Sequence, residues 1–226
     1  VMLVAVLVCA CIPVVTASAA EAEFDVVVTP DKNRVTYGDT VTFTVAIENI
    51  TASGGLLSVD VPFRFDPNVF EFVGETAVFP TVWQNPQDFS YKTDKNGLLW
   101  LRVLEDGDEF SSTAGCTENR AICFSVTLKV KDGAKLAGTT VTTNGDGAFE
   151  VACGTCADGQ CTVALGAGKS GTVTIVEFIM GDVNGDGVAD NTDAAVILRY
   201  DAGAIDLTDV QLKAGDVNGD GEVDNL

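Results

Sequence analysis

The heptapeptide GDVNGDG occurs twice, at 181–187 and again at 215–221, an offset of 34 residues. Counted from Asp182, oxygen-bearing side chains fall at positions 1, 3, 5, 9 and 12: Asp182, Asn184, Asp186, Asp190 and Asp193. Val188 at position 7 can add its backbone carbonyl. Gly187 stands at position 6, where the chain must bend if alternating side chains are to face one centre. An all-oxygen set of this kind suits a hard cation such as Ca2+. Four carboxylates drawn to one point would repel by roughly 4 kcal/mol per close pair at an effective dielectric near 20. The loop is therefore expected to close around an ion and to take folding energy from it, nothing else in the sequence holding it when empty.

The second copy supplies Asp216, Asn218, Asp220, Glu222 by its carbonyl, and Asp224. Its position 12 would be residue 227, one beyond Leu226, and an Asp is expected there in a longer chain. A control lies upstream. TNGDGAFEVAC at 143–153 also contains N-G-D-G, but its first and twelfth positions are Thr142 and Cys153, so the ligand pattern fails and a plain turn is expected.

Helices must hold these loops. In DAAVILRY the residues Val196, Ile197 and Tyr200 form one apolar face behind Asp193, and Thr208-x-x-Gln211 reads as a capping box opening a second helix, with Val210 and Ala214 on one face. The span 181–226 carries eleven acidic and two basic residues, Arg199 and Lys213. So short a segment buries little apolar surface, and a metal staple is the expected remedy.

The body of the chain has a different texture. In VTFTVAIE, Val41, Phe43, Val45 and Ile47 alternate with Thr42, Thr44, Ala46 and Glu48; FSVTLKVK repeats the device from Phe124 to Lys131. Period-two alternation means one buried and one solvated face. Further strands are expected at 25–29, 57–65, 69–73, 98–104, 139–143, 148–152 and 172–176, separated by turns such as TYGD, DPN and KDG. About nine strands without an amphipathic helix read as a two-sheet β-sandwich. Pro62 lacks a ladder donor, so its strand must bulge or lie at an edge.

Charge and composition exclude whole classes. Lys and Arg number 13 against 33 Asp and Glu, a net charge of −20, which repels nucleic acid. With no histidine there is no Ser-His-Asp triad and no histidine general base or zinc ligand. A two-carboxylate glycosidase remains conceivable, but the acidic residues of 24–177 sit mostly at turns and form no recognisable pair. Residues 1–20 read as a signal peptide, an uncharged apolar run to Val15 followed by small residues, with cleavage expected after Ala19 or Ala20 and the sequence a fragment at this end. A retained anchor is the alternative; about 15 apolar residues fall short of the roughly 20 a span needs. Secretion, with attachment at the cell surface as a variant, permits disulfides among Cys116, Cys123, Cys153, Cys156 and Cys161. The last three, in CGTCADGQC, read as a small disulfide-closed loop or a metal knuckle, and the pairing is open.

The segments GDTVTFTV at 38–45, GGLLSVDVPFRFDPNVFEFVG at 54–74 and FSVTLKVKDGA at 124–134 resemble a cohesin domain. The two loop–helix units of 181–226 resemble a type I dockerin, the EF-hand-like calcium-dependent module that binds a cohesin. The implied fold is mainly β: a jelly-roll sandwich over 21–177, a short linker at 178–180, and a small α-helical calcium-binding module over 181–226, its second repeat cut short. The resemblance implies that positions 10 and 11 of each loop meet the partner: Asn191 and Thr192, then Asn225 and Leu226, with Arg199 from the following helix. Asn-Thr stands where many members have Ser-Thr. On the sandwich it implies Asp60 and Ser58 on the dockerin-facing sheet, with Glu105 on the same face. The function implied is a non-catalytic adaptor of a polysaccharide-degrading, cellulosome-like complex, binding a dockerin by its sandwich and another scaffold's cohesin by its tail. The alternative keeps the tail but makes the sandwich a carbohydrate-binding module, using Trp83, Phe89, Tyr91 and Trp100.

Overall fold

The computed structural model describes residues 21–93, 97–105, 115–134, 138–141, 149–152 and 163–224. The strands are β1 (Phe24–Pro30), β2 (Arg34–Val35), β3 (Thr40–Glu48), β4 (Ser58–Arg64), β5 (Phe70–Val78), β6 (Pro86–Asp88), β7 (Tyr91–Thr93), β8 (Leu98–Glu105), β9 (Cys123–Val130), β10 (Gly138–Val141), β11 (Phe149–Ala152), β12 (Val163–Lys169) and β13 (Gly171–Ile175). Two helices follow, α1 (Asn191–Asp201) and α2 (Asp209–Gly215). No helix among the described residues is long and apolar enough to cross a membrane.

One sheet runs β11-β12-β1-β3-β9-β5; a second runs β4-β8-β6, with β7 also on β8; a third is β10-β13-β2. The inner set read in β3 and β9 is buried as expected, while Ala46, expected on the outer set of β3, is buried as well. Val41, Phe43, Val45 and Ile47 of β3 and Phe124, Val126, Leu128 and Val130 of β9 are all buried, while Thr42 and Thr127 meet on the outer face, their hydroxyls 3.2 Å apart. Phe43 packs across the sandwich on Phe63 of β4, ring centroids 6.0 Å apart, and on Phe70 of β5 at 6.4 Å. These rings, with Leu101 and Val103 of β8 and Val173 of β13, lie within one continuous core. Pro62 sits in β4, at the edge of its sheet and in regular register opposite Trp100, as a missing donor requires.

β5 departs from its expected end. It runs on to Val78 through a β-bulge between Phe72 and Gly74. Four strands, β2, β6, β7 and β12, were not foreseen; the first three have two or three residues, too few to show a period.

The tail has a core of its own. Val183, Ala214 and Val223 are buried around Gly215, where a Cβ would lie 2.7 Å from Val223 Cγ1 and 3.5 Å from Val183 Cγ2. Only a glycine lets the two loops close on each other there. The tail meets the sandwich through Lys213 Nζ on Glu177 at 2.9 Å and Lys32 Nζ on the Asp186 carbonyl at 3.4 Å.

Candidate metal loops and docking faces

Both loops are built on one hydrogen-bond frame. Asp182 at position 1 accepts the amides of Gly185 (2.8 Å), Asp186 (3.1 Å) and Gly187 (2.8 Å). Its counterpart Asp216 accepts those of Gly219 (2.9 Å) and Gly221 (3.1 Å). The position-3 amides Asn184 and Asn218 accept from Asp186 N and Asp220 N at 2.7 and 3.0 Å; the position-5 carboxylates accept from Val188 N and Glu222 N at 3.0 and 2.9 Å. The bend that carries this frame uses glycine at positions 4 and 6 in both copies, with φ of 78° and 91° in the first and 78° and 90° in the second. L-residues avoid that region, so the repeated glycines are a backbone requirement.

Position 12 ties the first loop shut. Asp193 is buried, and its Oδ1 accepts the amides of Val183 (2.8 Å) and Asn184 (2.9 Å) while Oδ2 accepts that of Asp190 (2.9 Å). Helix α1 therefore opens one turn earlier than Asp193, with Asp190 as its N-cap and Asp193 completing a capping box. Val196, Ile197 and Tyr200 are half-buried on its inner side. The capping box expected at Thr208 and Gln211 is formed, and Gln211 Nε2 also donates to the Val183 carbonyl at 2.8 Å, fastening α2 to the first loop. Val210 departs from the expected shared face: it is exposed while Ala214 is buried.

This frame corrects the expectation that repulsion leaves the loop without support. Backbone amides supply the positive ends of dipoles to Asp182 and Asp193, as at any carboxylate capping site. The carboxylates are spread along the loop. Among the described residues no group of three Asp, Glu or Cys side chains is drawn together around one point. The donor set is all oxygen, and hard-cation chemistry fits it; Glu222 and Val188 have the ring position whose carbonyl such an ion uses.

The residues expected to meet a partner divide three ways. Asn191, Thr192 and Arg199 are exposed. The Thr192 hydroxyl is engaged, donating to Asp190 Oδ1 at 2.7 Å and accepting from Asn184 Nδ2 at 2.8 Å. Those Thr192 bonds, hydroxyl first and amide second, hold the Asp190 carboxyl below its ordinary value. Asn225 and Leu226 lie outside the described residues, as do residues 1–20, the 143–148 turn and Cys153, Cys156 and Cys161. Cys116, buried, and Cys123, half-buried, are free thiols, and burial pushes both upward in pKa.

On the sandwich, Ser58 and Asp60 are half-buried on the outer side of β4. Asp60 lies opposite Arg102 of β8 and accepts from its Nε at 2.9 Å; a second Arg102 nitrogen also reaches the same oxygen. Arg102 is a neighbour the sequence reading missed, because cross-strand register is invisible along one strand.

Glu105 is a correction. In β8 the outer positions are Leu98, Trp100, Arg102 and Leu104, so Glu105 falls on the inner set and is 1% exposed. Its two carboxylate oxygens accept the Asn85 amide at 3.0 and 3.1 Å. It anchors the chain ahead of β6 and presents nothing to a partner. Of the aromatic candidates, Trp83 is buried with its indole N–H donating to the Leu56 carbonyl at 3.2 Å, so it offers no exposed platform. Phe89 is exposed, Trp100 half-buried, and the Tyr91 side chain lies outside the described residues.

Comparison with known families decides what these two bodies are. The cohesin domain model matches residues 26–164, more than half of the chain. The chain belongs to the cohesin family. The dockerin type I domain model matches residues 180–226, further along the chain. Cohesin and dockerin domains are non-catalytic assembly modules, and both on one chain make a protein–protein adaptor of the cellulosome type.

The cohesin fold is also found by structural likeness. A type I cohesin–dockerin complex from Clostridium thermocellum, Coh-OlpC-Doc435, has a chain that aligns at 19% identity and a TM-score of 0.50, covering 70% of this chain and 97% of that one. A cohesin module from a Clostridium perfringens family 33 glycoside hydrolase aligns at 15% identity and a TM-score of 0.49, covering 69% and 98%. Among curated proteins no significant match is found.

Proposed function

We propose that this protein is a secreted, non-catalytic adaptor whose cohesin domain receives the dockerin of another protein while its own dockerin docks into the cohesin of a different scaffold. The observation that carries this reading is the succession of the two complementary modules on one chain. One socket and one plug extend or branch an assembly, here one that degrades polysaccharide. The export expected from the N-terminal run places it outside the cell.

Calcium belongs to the plug. In the first loop Asp182, Asn184, Asp186, the Val188 carbonyl, Asp190 and Asp193 would hold it; in the second, Asp216, Asn218, Asp220, the Glu222 carbonyl and Asp224 would. When bound, the ion supplies the positive charge that gathers these groups. The residues' own part is to fix the outline that the partner meets. Asp193 pins the loop ends, Gly215 lets the loops approach, and Asn191, Thr192 and Arg199 stand exposed beside the first loop. On the socket, Asp60 and Ser58 face outward from β4, and the Asp60–Arg102 pair gives that sheet a fixed charge pattern. Charge of this kind governs register and on-rate more than affinity.

Calorimetric titration of the full chain against panels of isolated dockerins and cohesins, in calcium and in EDTA, tests the reading. Binding to one member of each panel is expected, with cohesin binding lost in EDTA. Persistence of cohesin binding after complete chelation would end the calcium-ordered reading. Retention on insoluble cellulose or xylan without dockerin binding would replace the socket by a carbohydrate-binding module.

A further inference from the structure

A cleft of about 320 Å3 opens between the edge strand β5 and strand β8, lined by Phe72, Gly74, Glu75, Ser90, Leu99, Trp100 and Leu101. Glu75, the one acidic side chain among these described residues, points inward because of the bulge. In β5, Phe70 and Phe72 lie opposite the buried Val130 and Leu128. Regular alternation would send Glu75 outward with Glu71. The extra residue, Val73, shifts the register, so that Glu75 lies opposite buried Val126 and Ala77 opposite buried Phe124. Bulges of this type re-aim a side chain beside functional sites.

The carboxylate so placed is only half provided for. Ser90 hydrogen-bonds to it, but its Oε2 is buried and has no hydrogen-bond partner among the described residues. Asp88, on β6 of the other sheet, adds a second negative charge, and its Oδ1 is occupied by the Ser90 amide at 2.9 Å. Burial first, and Asp88 second, push the Glu75 carboxyl above its ordinary range. A buried acceptor beside a like charge is costly unless a donor or cation meets it. Hard cations such as Ca2+ and Mg2+ take about six or more oxygens, which apolar walls do not offer. A cation on an apolar stem satisfies both halves of the cleft, and the volume, at the small end for ligand pockets, suits a short one.

We infer that this inter-sheet cleft is a binding site for a primary ammonium or guanidinium group carried on a short aliphatic stem, with Glu75 taking the charge and Phe72, Leu99 and Leu101 covering the stem. The source is either a free amine or a Lys or Arg side chain of a partner polypeptide. The inference goes beyond the adaptor reading and stands whether or not that reading does.

The test is a heteronuclear NMR titration of the full chain, following the Ser90 and Leu101 amides. The probes are n-butylammonium, n-butanol, methyl glucoside and an N-acetylated, C-amidated Gly-Lys-Gly peptide. Saturable shifts at both amides with n-butylammonium, at least tenfold weaker with n-butanol, are expected. Glu75→Gln should abolish the difference while its melting temperature stays at or above that of the parent, which separates loss of a ligand group from loss of fold. Tighter binding of the lysyl peptide assigns the cleft to a polypeptide side chain, and binding of the amine alone assigns it to a small molecule. Equal binding of amine and alcohol, binding of the glucoside alone, undiminished binding by the Glu75→Gln variant, or no binding of either cation overturns the inference.

Discussion

The sandwich and the tail are held together by different physics. In the sandwich, Phe43 touches rings from both sheets, and apolar burial over a long continuous core carries the structure. Among the described residues of the tail the buried apolar set is Val183, Ala214 and Val223, and the frame consists of carboxylates accepting backbone amides across two bent loops. The first arrangement rests on apolar contacts that carry no charge. The second is written in charged groups, so its outline responds to whatever titrates or binds them. On the proposed reading, a socket held by apolar packing and a plug ordered by calcium would suit these two designs.

The contrast can be broken at either end. Phe43→Ala removes a ring from the centre of the sandwich and should cost about 3–5 kcal/mol. Chemical unfolding followed by the buried Trp83 reports it, and the far-ultraviolet signal of α1 and α2 should survive as a separate transition. If both bodies melt together, they are one cooperative unit and the comparison is wrong. Asp193→Ala should give the converse. It orphans the amides of Val183, Asn184 and Asp190 and should cost the tail about 1–3 kcal/mol, the buried Val183 amide dominating. Helical ellipticity reports that loss, with the sandwich transition unmoved.

The smallest effect sharpens the comparison within the sandwich itself. Asp25 is held below its ordinary pKa, by the Asn49 hydrogen bond first and Lys169 after it. Its contribution is present above the ordinary Asp range and fades as pH falls through the depressed folded value. Glu75 has the opposite sign. Raised in the folded state, it favours folding when protonated, and that contribution is lost as pH rises through its folded pKa. Asp25→Asn should therefore lower the sandwich melting temperature slightly at neutral pH and not in strong acid. Glu75→Gln should raise it slightly at neutral pH and leave it unchanged in acid.

Much of this was readable one strand or loop at a time. Alternation in β3 and β9, the edge position of Pro62, the glycines of the two loops and the capping box at Thr208 are local rules. Each needs only the residue and its near neighbours along the chain. Glu105 was open to the same logic, since counting by twos from Leu99 puts it inside; a resemblance placed it outside instead. The bulge at Val73 was not legible, because EFVGET breaks the alternation and a broken pattern looks like a strand's end. Nor was the buried seat of Asp193, whose three amide donors come from positions three to ten residues earlier.

The order of residues thus determined most of the longer strands, which bends need glycine, and which oxygens line each acidic loop, because these follow from stereochemistry within a few residues. Tertiary structure alone decided that Glu75 faces inward, that Asp60 meets Arg102, and that Val183, Gly215 and Val223 close the tail. Those facts depend on register and on the approach of distant segments, and no spacing along a single strand encodes them.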